Sequence, residues 1–271
     1  MKPWCAAEIC LWGMIVVFPA VAFADATESD RNMTDGYVCP SGECGAAGKT
    51  FAEAGQCPDC GRALIEADKV RDVAIVIWNG VELLDFAGPG EVFAATQGPD
   101  GECFRVYTVF SSTTPIVSQG FLKVQPNYDI DHCPPPDIVI IPGGGTASLI
   151  SDEPLMKWIK QAVEASEVSL SVCTGAFALA HLGLLDGKEA TTWHGALARM
   201  QEMYPEVRVA ADRRFIDNGK IITSAGVSAG IDSSLHLVAR LLGKPTAIKT
   251  ATYMEYHWRF AENEPAVSHE G

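Results

Sequence analysis

The chain has 271 residues, with 34 acidic against 20 basic side chains and a formal net charge of −14. A surplus of that size repels polyanions and argues against nucleic acid as a partner. The length leaves room for one domain of about 190 residues with a full core, plus a smaller module.

At the N-terminus Lys2 precedes an apolar run from Ile9 to Phe23, broken by Pro19, and Ala22-Phe23-Ala24 stands before Asp25. That order fits an export signal over residues 1–24 with a small-x-small cleavage site. The run is short for a membrane span of about 20 residues, so the expectation is a periplasmic protein with no stable membrane association once the signal is removed. Removal takes Cys5 and Cys10 and leaves seven of the nine cysteines. An odd number means that at least one thiol stays free or pairs between chains.

A polar linker, 25–36, leads into a cysteine module over 37–66. Cys39 and Cys44 are Cys-x4-Cys, and after twelve residues Cys57 and Cys60 are Cys-x2-Cys; each pair starts Cys-Pro and ends Cys-Gly. Four thiolates so spaced suit a structural, tetrahedral zinc. In an oxidising compartment two disulfides are the other reading.

The third segment, 70–262, reads as an α/β sandwich with a mostly parallel sheet, followed by a tail over 263–271. Val73 to Ile77 forms an all-apolar strand, and Leu84-Asp85-Phe86 follows closely. An acid among apolar neighbours is costly to bury unless it is paired or used; Asp85 and Glu91 are the candidate proton handlers, with Glu91 equally suited to a helix's first turn. Asp137 to Ile141 is a second buried strand that runs into Pro142-Gly143-Gly144-Gly145. Backbone N–H groups of Gly143 and Gly144, with that of Thr174, are expected to form an oxyanion-type hole.

A third strand, Val168 to Val172, turns sharply at Cys173-Thr174-Gly175 into a helix expected over Phe177 to Leu185 and closed near Gly187. Cys173 sits at the apex, where the helix N-terminus is expected to favour thiolate over thiol. Downstream, Glu189 to Thr192 starts a strand, and Phe215-Ile216 and Ile221 to Thr223 form a hairpin about Asp217 to Lys220. A helix with Ile231, Leu235, Val238 and Leu242 on one face leaves His236 and Arg240 solvated on another. The last helix, about Ala247 to Phe260, carries aromatic residues suited to packing or to a dimer surface.

Five ordered motifs across about residues 70 to 260 carry a resemblance: Leu83-Leu84-Asp85-Phe86-Ala87-Gly88-Pro89, Ile140-Ile141-Pro142-Gly143-Gly144, Ser171-Val172-Cys173-Thr174-Gly175-Ala176, the stretch Gly183 to His194, and the stretch Thr223 to Asp232. The segment resembles the ThiJ/PfpI superfamily of class I glutamine-amidotransferase-like proteins, closest to its isonitrile hydratase branch. The resemblance implies a flavodoxin-like sandwich with a nucleophile elbow, Cys173 as nucleophile, Thr174 beside it and Asp85 as the acid working with the thiol. It further implies addition of water to a small electrophilic carbon through a thioimidate; no catalytic cofactor is expected, and a homodimer is the expected assembly. Members with peptidase or amidase activity have Cys-His at the elbow, whereas Thr174 follows Cys173 here. The branch often shows Thr-Thr-His-Trp; this chain has Thr191-Thr192-Trp193-His194, which makes His194 a further pocket candidate. The cysteine module resembles small heavy-metal-binding domains, but Ser41-Gly42 and Arg62 replace their soft ligands.

Two other roles stay open from sequence. One is a stress protein with a redox-sensing Cys173 and a zinc-buffering module; the other is a binding domain without catalysis. Relatives of such domains serve in transcription regulators, but about ten residues follow the last expected helix, too few for a helical DNA-binding domain.

Overall fold

The computed structural model describes residues 36–40, 44–46, 49–98 and 101–258. The expected signal, the linker before Gly36, and the tail lie outside these residues, as do Ser41 and Gly42. No described helix is long and apolar enough to cross a membrane.

Seven strands form the main sheet: β1 (Arg71–Val76), β2 (Phe104–Phe110), β3 (Tyr128–Asp129), β4 (Ile138–Ile141), β5 (Val168–Val172), β6 (Phe215–Asp217) and β7 (Ile221–Ser224), in spatial order β3-β2-β1-β4-β5-β7-β6. All neighbours are parallel except the β6–β7 hairpin. Every residue of β4 and β5 is buried. This is the signature of strands covered on both faces, and each buried aliphatic side chain contributes about 1.5–3 kcal/mol.

Among the described residues seven α-helices accompany the sheet: α1 (Leu83–Ala95), α2 (Thr146–Ser151), α3 (Glu153–Ala165), α4 (Ala176–His181), α5 (Leu197–Met203), α6 (Ala229–Leu242) and α7 (Lys244–Tyr253). From β1 the chain passes through α1 outward to β2; from β4 it passes through α3 in the opposite direction to β5. Right-handed crossovers running opposite ways place their helices on opposite faces and open a crevice where the direction reverses, between the C-terminal ends of β1 and β4. Helices α6 and α7 join α1 in one layer, while α2 packs with α3 and α4.

Several boundaries differ from expectation. The elbow continues as a 3-10 turn, Cys173–Gly175, and α4 ends at His181 instead of Leu185. The stop is Gly183, with φ +71°, where Gly183 N–H bonds Ala180 C=O and Leu184 N–H bonds Leu179 C=O, the paired reach-back of a Schellman cap. Helix α7 starts at Lys244, where Pro245 suits a first turn, and ends at Tyr253. The strand expected from Glu189 is only Glu189–Ala190, paired with Arg208–Val209 outside the main sheet. His236 and Arg240 are not simply solvated; both engage Asp217, at 2.8 and 2.9 Å, because the β6 hairpin lies against α6.

The cysteine module is a three-stranded antiparallel sheet, with Tyr37–Val38 between Thr50–Phe51 and Ile65–Glu66. Its strands are two residues long and its buried apolar cluster is Cys39, Ala46 and Cys57, far too small a core to hold thirty residues by burial alone.

Candidate active site and cysteine cluster

Three chain segments meet at the C-terminal ends of β1, β4 and β5, the place where open α/β sheets hold ligands. Asp85, in the first turn of α1, is wholly buried. Its Oδ2 accepts the Gly143 N–H at 2.9 Å, and its carboxyl also meets the Cys173 thiol and the Val227 N–H. Oδ1 has no regular hydrogen-bond partner among the described residues. Burial is the main influence on Asp85 and pushes it up to about 7, against the opposing hydrogen bond from Gly143.

Cys173 adopts φ +57°, a left-handed conformation that costs a non-glycine residue of order 1–3 kcal/mol and persists only where surroundings enforce it. Here its N–H bonds Ala225 C=O at 3.0 Å and its C=O accepts the Thr192 hydroxyl at 2.7 Å. The side chain is 7% exposed, buried instead of projecting freely from the helix head. Burial first, then the Asp85 charge, push the thiol up to about 12, outweighing the Thr174 N–H that favours thiolate. Both influences run against the thiolate that the helix N-terminus is expected to favour. The resting pair is a thiol beside a carboxyl poised near neutrality.

The glycine loop also works differently from expectation. Gly143 N–H is committed to Asp85, and Gly144 N–H to Thr174 Oγ1 at 3.0 Å, so in the free protein neither is available as an oxyanion donor. The loop instead aims the carboxyl and fixes Thr174. A Cβ at Gly143 would stand 2.6 Å from Thr174 N and 2.8 Å from Asp85 Oδ2. Gly143→Ala is accordingly expected to cost about 1–3 kcal/mol by overpacking and to move the pH midpoint of Cys173 alkylation. Urea melts and pH-resolved labelling check this, and wild-type values in both would refute the contact.

Glu91 is exposed and lines a different cleft of about 410 Å³, with Arg62 and Phe104. Six positions along α1 place it about 120° around the helix from Asp85. His194 is exposed, its ring 4.9 Å from that of Trp193. Sequence reasoning missed Val227, a β-branched residue at φ +53° whose N–H reaches both Asp85 and Cys173. Its loop is held by Arg214, which bonds Ser228 Oγ and pairs with Asp232. Asp232 thus anchors a loop, beyond serving its own helix.

Against this geometry, the sequence profile of the DJ-1/PfpI family matches residues 71–240. The chain belongs to the DJ-1/PfpI family. Isonitrile hydratase of Pseudomonas putida is 32% identical over 188 residues, covering 68% of this chain and 78% of that protein. The HTH-type transcriptional regulator GbdR of Pseudomonas aeruginosa is 32% identical over 176 residues, but the chain spans only 47% of the regulator's length. Among solved structures, a ThiJ/PfpI family protein from Pseudomonas syringae aligns with a TM-score of 0.63 at 25% identity, covering 74% of this chain and 79% of that one. Drosophila melanogaster DJ-1beta, 16% identical with a TM-score of 0.60 over 70% of this chain and all of its own, shares the fold.

Ahead of the DJ-1/PfpI domain, Cys39, Cys44, Cys57 and Cys60 bring their sulfurs within 4.8 Å of one another. None of the described cysteines forms a disulfide. Sulfur–sulfur distances of 3.3, 3.5 and 3.8 Å lie near the edge of about 3.8 Å that a tetrahedron with 2.3 Å metal–thiolate bonds would have. Backbone N–H groups of Asp59 and Cys60 turn toward Cys57 sulfur. The cluster is sized and oriented for a tetrahedral metal ion.

Proposed function

We propose that this is an exported, cysteine-dependent hydratase that adds water to the terminal carbon of a small isonitrile, with a zinc-stapled module ahead of the catalytic domain. The observation that carries the reading is the buried Asp85 carboxyl, held by Gly143 against Cys173 and poised near neutrality. Identity to an isonitrile hydratase across most of that protein supports it.

The chemistry follows from the pair. The Asp85 carboxylate takes the S–H proton as sulfur bonds the isonitrile carbon, and then returns that proton to the same carbon, leaving a thioimidate. Water adds to the thioimidate carbon while Asp85 takes one of its protons and passes it to nitrogen. Collapse breaks the C–S bond, the remaining hydroxyl proton returns to sulfur, and an N-substituted formamide leaves. One group gives and takes protons throughout, which a carboxyl near 7 does well and one near 4 does poorly. The zinc lies outside this sequence. Held by Cys39, Cys44, Cys57 and Cys60, it would have four thiolate ligands and no open position, so its part would be to fold the module.

A peroxide-sensing role for Cys173 fits less well, because oxidation follows thiolate character and exposure and Cys173 has little of either. The test is incubation of the mature protein with cyclohexyl isonitrile and detection of N-cyclohexylformamide. Catalytic turnover is expected, and none by wild type would reject the reading.

A further inference from the structure

Beside the elbow opens a cleft of about 530 Å³, lined by Gly144 and Thr174 of the site and by Ile150, Phe177 and Met203 among others. Its size is right for a small molecule, and its lining is mostly apolar. One charge stands in it, Arg199, with no acidic side chain among the described lining residues. Arg199 donates through Nε to the Met203 sulfur at 3.4 Å and lies 5.7 Å from the Phe177 ring centroid. Both contacts orient the guanidinium without neutralising it.

The contrast with other arginines is informative. Arg62, Arg71, Arg105, Arg214 and Arg240 each pair with a carboxylate. Among the described residues Arg199 pairs with none, in a chain with fourteen more negative than positive charges. A planar donor fork left open at the rim of an apolar cleft is suited to a carboxylate or similar anion.

We infer that the substrate carries an anionic group at the end of a short apolar body remote from its electrophilic carbon, with Arg199 receiving the anion and the reactive end directed at Thr174 and Cys173. The inference rests on Cys173 as nucleophile, and it makes Arg199 the residue that selects by charge.

Iodoacetate and iodoacetamide test it, because both alkylate sulfur with loss of iodide and differ mainly in charge. Rates at Cys173 are read by mass spectrometry of the full chain at low salt. Arg199→Gln is expected to lower the iodoacetate-to-iodoacetamide rate ratio by about 2-fold, because a reagent too short to pair with Arg199 while Cys173 attacks still feels its field at low salt, and salt should erase the difference. Arg208→Gln removes the same charge from an arginine that bonds Gly187 C=O elsewhere, and should leave the ratio unchanged. An unaltered ratio in Arg199→Gln, or an equal fall in Arg208→Gln, would overturn the inference. Failure of isonitrile turnover with the charge preference intact would sink only the hydration chemistry, whereas a wild-type Cys173 inert to both reagents would remove the nucleophile and this inference together.

Discussion

Asp85→Asn is expected to lower isonitrile turnover by about 10²–10⁴-fold, the range for loss of a general acid–base group, and Cys173→Ser to lower it at least as far. The amide keeps an acceptor for the Gly143 N–H, so the site's shape should survive while its proton traffic stops. For the wild type the direction of the pH dependence is fixed by which partner ionises first. With the carboxyl at about 7 and the thiol at about 12, acid protonates Asp85 and removes the base that must accept the thiol proton. The rate should therefore rise through about pH 7 and then level.

The same shift has a stability consequence of opposite sense. The folded-state value of Asp85 is raised above the ordinary carboxyl value, so its favourable contribution is complete below about pH 4 and is lost as pH rises through about 7. The full excursion is on the order of 4 kcal/mol. Asp85→Asn should thus gain stability relative to wild type between pH 4 and pH 8 while losing activity, the trade expected when a buried acid is kept for its chemistry. Urea denaturation at both pH values reads this directly. A parallel pH dependence for the two proteins, or an Asn variant that still turns over, would dismiss Asp85 as the proton carrier.

How far sequence carries a reader depends on whether a residue's role is written in its neighbours or in distant backbone. Strands β4 and β5 were legible because an unbroken apolar run bounded by turn residues has few other uses, and Cys173 was legible because small residues flank a strand-to-helix turn. Asp85 stood out as an acid among Leu84 and Phe86. Glu91 was separable in principle, since six helical positions turn a side chain well away from Asp85. The donors around the pair were not legible. Gly143 and Gly144 read as open N–H groups, and only the fold shows that Asp85 and Thr174 occupy them. Val227 is an ordinary valine until a loop held by Arg214, Asp232 and Ser228 forces its φ positive. The thiol's ionisation failed for the same reason: a helix end is visible in sequence, but a buried carboxylate partner 88 positions away is a tertiary fact.

The second large effect concerns the module. Its buried apolar cluster of Cys39, Ala46 and Cys57 supplies only a few kcal/mol at about 25 cal/mol per Å², whereas structural zinc sites of four ligands carry apparent binding energies of about 10–16 kcal/mol. If zinc is the ion, removing it should unfold residues 37–66 while the larger domain, with its own seven-stranded core, stays folded. Protein purified without reductant is expected to hold one zinc per chain by elemental analysis. Cys57→Ala should lose most of it, and a strong chelator should raise hydrogen exchange across the module and leave β4 and β5 protected. Cys57, like Cys39, is both a ligand and one of the three buried cluster residues, so its removal takes both contributions together. Two disulfides among the four cysteines with no bound metal would refute the account, and so would a module that remains protected after the ion is stripped.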